Sequence, residues 1–139
     1  MRVVGWQRAL NVFLLEWQGI YKERGFVPGA TDCAHFAADW ALRLTGDDPL
    51  ADYRGRYTTR EAGDALLAEL DGSLLQALEK RFGAPIPPAR AQRGDLAYKH
   101  DVGIGIYFTS GARMVALFLG EGGFVMHRAL DTDHAFAVR

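Results

Sequence analysis

Cysteine is nearly absent: Cys33 is the only one in 139 residues, so no disulfide can form within the chain. No Cys/His spacing resembles a zinc site, which removes the other common staple of small domains. Charge of neither sign dominates, with Lys+Arg 16 against Asp+Glu 17 and a net charge of -1. That balance gives no electrostatic argument for a nucleic-acid partner. Long hydrophobic runs are missing as well. The longest are broken by Glu16, Gln18 or Arg113, short of the roughly eighteen apolar residues of a membrane span. Met1–Arg8 lacks a basic region followed by an unbroken apolar run and a small-residue cleavage site, so a protein made and assembled in a cytoplasm is expected. What remains is a chain with 49% hydrophobic and 24% charged residues, long enough for one core and expected to be a single domain over 1–139.

The lone cysteine sits where an extended segment marked by Pro28-Gly29 turns into a periodic run. Counting from Cys33, Phe36, Ala37, Trp40, Ala41 and Leu44 fall at i+3, i+4, i+7, i+8 and i+11, the spacing of one buried helix face. Cys33 is therefore expected at a helix N-terminus and facing inward, with Asp32 or Thr31 capping the free N–H groups. The positive end of the helix macrodipole favours a thiolate there, as in an activated nucleophile. The same position equally suits a small buried apolar residue, since free cysteine is among the most buried residue types.

Ahead of it, Trp6, Leu10, Phe13, Leu14, Trp17, Ile20 and Tyr21 keep helical spacing, which predicts a long amphipathic helix over about 5–23 ended by Gly25. Its aromatic stripe reads as a core face more readily than a docking face. The Cys33 helix runs to Leu44 or Thr45 and closes on Gly46. Residues 47–57 have no period and read as a loop, carrying Tyr53, Arg54, Arg56 and Tyr57 as binding candidates or as partners for nearby aspartates. Thr58 and Glu61 form a capping box that opens a helix over Ala62, Leu66 and Leu70. A short helix with Leu74, Leu78 and Phe82 follows, closed by Gly83 and a proline cluster. From Gly94 the period becomes strand-like, predicting a meander of antiparallel strands near 95–99, 102–109, 112–118, 123–129 and 134–138. Helices followed by an antiparallel sheet make an α+β domain.

A cysteine opening a buried helix, followed by Arg93-Gly94-Asp95-Leu96-Ala97-Tyr98 and Ile104-Gly105-Ile106-Tyr107, resembles the NlpC-type papain-like peptidases, which are cell-wall enzymes. The resemblance covers roughly residues 26–130. It implies a papain-like fold, with Cys33 as nucleophile and a histidine base supplied by the start of a His-Val-Gly-Ile-Tyr strand. Tyr53-Arg54-Gly55-Arg56-Tyr57-Thr58-Thr59 and Ile86-Pro87-Pro88-Ala89 look more like a group of small tailed-phage and prophage proteins encoded among tail-tip genes. That likeness implies a virion-tail or baseplate location after assembly in the bacterial cytoplasm, with other tail-tip proteins as partners.

The departure from the enzyme pattern is at the base. If Ile104-Gly105-Ile106-Tyr107 is laid on Val-Gly-Ile-Tyr, the catalytic histidine is replaced by Gly103, and the third catalytic position falls on Ala116. A shift of two residues puts Asp101 at the base position with His100 beside it, and His100 then needs a bulge to face Cys33. His35 lies about 200° round the helix from the thiol and is expected to be packed or on the surface. His127 faces either the groove or solvent, and His134 is expected to be exposed. Two readings follow. In one, the protein is a structural tail-tip component with a degenerate peptidase fold. In the other, Cys33 and His100 form an active endopeptidase of peptidoglycan peptide stems. Neither requires a metal or a cofactor.

Overall fold

Four helices precede five strands in the computed structural model, which describes residues 1–139. Helix α1 (Trp6–Arg24) buries Leu10, Phe13, Leu14 and Trp17, one face at i, i+3, i+4 and i+7, and ends where Gly25 at φ 72° returns its N–H to Tyr21 O. Helix α2 (Cys33–Thr45) starts on Asp32, whose carboxylate accepts the N–H of His35, and stops at Gly46. Helix α3 (Arg60–Leu70) is capped by Thr59, which accepts from Ala62 N–H, and not by Thr58. The Tyr57 carbonyl is pressed against Gly29, where any added Cβ would clash with it. Helix α4 (Leu74–Phe82) is capped by Ser73.

The strands are β1 (Leu96–Lys99), β2 (Gly103–Ser110), β3 (Arg113–Gly120), β4 (Gly123–Arg128) and β5 (His134–Phe136), all paired antiparallel in the order β4-β3-β2-β1-β5. The meander holds through β4 and then breaks: β5 crosses back to pair with β1, placing Phe136 opposite Leu96. A 3-10 turn at Ala129–Asp131 redirects the chain. Thr132 fixes it by donating its hydroxyl to Ala129 O and sharing a 2.6 Å hydrogen bond with Tyr107. The result is an α+β fold, with helices first and an antiparallel sheet second.

Strand alternation divides the sheet into two faces. Leu96, Ile104, Ile106, Leu117, Leu119 and Phe136 meet α1 and α2 in the main core, around Phe13, Phe36 and Trp40. Ala97, Tyr107, Ala116, Phe118 and Ala135 form a smaller cluster on the opposite face. A third cluster of Ala38, Leu50, Tyr53 and Leu66 lies apart from both. The two chain ends meet at one buried carboxylate, Asp95, which accepts from Arg2 at 2.7 Å, Arg139 at 2.5 Å and the N–H groups of Gln92 and Val138. No helix is long and apolar enough to cross a membrane.

Candidate functional site

Cys33 is the first residue of α2, and α2 packs on β2. The thiol opens into a cleft of about 670 Å³ between the N-terminus of α2, helices α3 and α4, and the β1–β2 end of the sheet. Its walls are mostly apolar, with Ala37, Leu50, Leu78 and Ile104 among them, and Asp32, Arg60, Asp64, Arg81, Lys99, Asp101 and Glu121 at the charged positions. The charges of the two signs are mixed, so the cleft has no pronounced preference for an anion or a cation.

Asp32 organises the polar side of the site. Its Oδ1 accepts the His35 N–H at 2.9 Å and lies 2.6 Å from His35 Nδ1; its Oδ2 accepts from Gly29 N–H at 2.9 Å and from the Tyr57 hydroxyl at 2.5 Å. Burial alone would raise this carboxyl, but the hydrogen bonds from His35, Tyr57 and Gly29 more than offset it and bring it down to about 2. An ionised Asp32 requires the proton of His35 on Nδ1. Tyr57 moves the other way, its hydroxyl pushed far up by burial and then by the carboxylate it donates to.

The Cys33 thiol is pushed up to about 11, first by burial and then by the charge of Asp32. The backbone N–H groups of Ile104, Ala34 and Cys33 itself pull in the thiolate direction, and they lose. The buried-thiol alternative that the sequence left open outweighs the macrodipole: desolvation raises the thiol most, and the carboxylate that caps the helix raises it further. At neutral pH this thiol is protonated.

No histidine lines the cleft with it. A Cβ built on Gly103 would lie 3.5 Å from Sγ, so the position opposite the thiol is occupied by a glycine at φ 117°. Ala116 is fully buried on the sheet face away from the main core. The structure does not bring His100 to Cys33. The β1–β2 register pairs Lys99 with Gly103, which leaves His100, Asp101 and Val102 as the turn, with Asp101 at φ 64°. The His100 ring is 79% exposed, its Nε2 is 3.4 Å from Asp101, and its N–H is held by Asp133. A bulge toward the thiol is therefore absent.

The remaining histidines are elsewhere. His35 is packed under Tyr57 and bonded to Asp32. His127 is half-buried and edge-on to Phe118, on the sheet face opposite the main core. His134 is also half-buried, stacked on Tyr98 in β5, where full exposure was expected. No group of three or more His, Cys, Asp and Glu side chains is arranged to hold a metal ion. Sequence reasoning offered Asp32 or Thr31 as the cap but missed the role of Asp32 as the acceptor for Tyr57, because Tyr57 lies 25 positions away in an aperiodic loop beyond α2.

A family model described as "Domain of unknown function (DUF6950)" matches residues 1–138. The chain belongs to that family. No curated protein and no solved structure matches it.

Proposed function

We propose that this family member is a non-catalytic binding domain of papain-like, NlpC-type architecture that works as a structural component of a phage tail tip or baseplate. The observation that carries the loss of chemistry is the pair formed by Cys33 and Gly103. A cysteine nucleophile needs a base within hydrogen-bond reach and a third group to orient it. The position facing this sulfur carries no side chain, and the thiol is held protonated. The architecture supports the NlpC-type assignment through the cysteine at the first turn of α2, the Gly94-Asp95-Leu96 entry into β1 and the glycine-bearing β2 beneath it. The tail-tip setting rests on the likeness of the 53–59 and 86–89 segments to small phage tail proteins. A cleft of this size without a working nucleophile is suited to holding a partner's chain.

The alternative, an active peptidoglycan endopeptidase using Cys33 and His100, needs the β1–β2 turn to rearrange and deliver an exposed ring to the thiol. The test compares wild type with Cys33→Ser on purified peptidoglycan and in phage assembly. The binding reading expects no stem-peptide release from either protein and equal rescue of tail assembly by both. Release by wild type alone contradicts it.

A further inference from the structure

The segment from Asp47 to Asp71, the strap 47–59 together with α3, is attached to the body in an unusual way. None of its residues belongs to the main core; its apolar contacts are the satellite cluster, to which the body contributes Ala34 and Ala38. Both roots of the segment are held by one side chain, Arg81 of α4, which donates to Pro49 O at 2.6 Å and pairs with the Asp71 carboxylate at 3.0 Å. The far end is held by polar contacts across the cleft. The Tyr57 hydroxyl reaches Asp32 at 2.5 Å, and Arg60 reaches Glu121 in the β3–β4 turn at 3.1 Å. Arg54 adds a partly exposed pair to Asp39. The Tyr57 ring packs on Gly63 of α3, where a Cβ would come within 2.9 Å of it, and also meets the His35 ring of α2, so Tyr57 joins the segment to the body. Leu50, Tyr53, Tyr57 and Leu67 from this segment line the cleft that contains Cys33.

We propose that residues 47–71 are a hinged flap over the Cys33 cleft, rooted on Arg81 and latched at its free end by Tyr57 to Asp32 and by Arg60 to Glu121. A unit with no residue in the main core, fastened at its free end by one half-buried hydrogen bond and one exposed ion pair, opens at a lower free energy than the whole domain. Swinging on its roots, it uncovers the apolar wall and the thiol without disturbing the main core. The flap goes beyond the binding reading and holds whether or not Cys33 reacts.

The sole cysteine reports its opening. Iodoacetamide modification of native wild type and Tyr57→Phe is measured at one fixed pH, with hydrogen exchange followed in parallel. Loss of one hydrogen bond to a charged acceptor predicts roughly tenfold faster modification in Tyr57→Phe. Without the tyrosine hydroxyl the Asp32 charge beside the thiol is less neutralised, which by itself slows alkylation, so acceleration reports access. The α3 amides should lose protection together while those of α2 and β2 keep theirs. If Tyr57→Phe does not fold, Arg60→Gln carries the same test with a smaller effect, roughly two- to threefold for an exposed ion pair. An unchanged rate, or acceleration accompanied by exchange across α2 and β2, overturns the flap.

Discussion

Gly103 turns the open side of its Cα toward the sulfur of Cys33, and a side chain there would begin 3.5 Å from Sγ. That separation is ordinary van der Waals contact, so space is available for a side chain and the backbone is what resists one. At φ 117° an L-residue is strained, and Gly103→Ala should cost roughly 1–3 kcal/mol. Denaturant unfolding of the variant checks it. An unchanged midpoint would mean that β2 begins in a more ordinary conformation.

Asp32 carries a pH signature. Its carboxyl stands at about 2 in the folded protein against an ordinary 3.8, so the stability it contributes is present above about pH 4 and is lost as pH falls through 2. In Asp32→Ala that part of the acid transition should vanish. The variant should also be weaker at neutral pH by about 2–3 kcal/mol, from the lost helix cap and the donors of Tyr57, Gly29 and His35 left without their acceptor. Unfolding midpoints of both proteins between pH 2 and 7 distinguish this from a cap that acts alone, which would lower every midpoint equally.

Asp95 should be the most sensitive charged position. It is fully buried and tied to Arg2 and Arg139, one from each end of the chain. Asp95→Ala leaves cationic groups and two N–H donors without an acceptor and should cost about 3–5 kcal/mol. Hydrogen exchange should show Val3 and Val138 losing protection first. A variant with unchanged stability would show that the termini are held by packing alone.

Periodicity made much of the fold legible. Helices α1 and α2 emerged within a residue or two of their limits because their buried faces repeat without interruption. Trp17 is 4% exposed, as a core stripe requires. The placement of Gly103 opposite Cys33 matches the first of the two registers that the peptidase resemblance left open; periodicity alone did not choose between them. What lay beyond reach depended on contacts distant in sequence. The return of β5 to β1 involves the Thr132–Tyr107 bond and the burial of Phe136 against Leu96, contacts made only in the folded chain. The Tyr57–Asp32 latch joins a loop to a helix cap, and no period connects them. The state of the thiol stayed open between thiolate and buried thiol for a related reason: a helix dipole can be inferred from a cap residue, whereas desolvation depends on what the folded chain packs around the sulfur.

The most direct test of the account is the pH dependence of Cys33 alkylation in the native protein. With burial and Asp32 raising the thiol, the rate should climb continuously with pH through the neutral range, with no reactive plateau there and no response to His100→Ala. A plateau of rapid alkylation below the free-thiol range near 8.5, abolished in His100→Ala, would contradict it and show an ion-paired nucleophile.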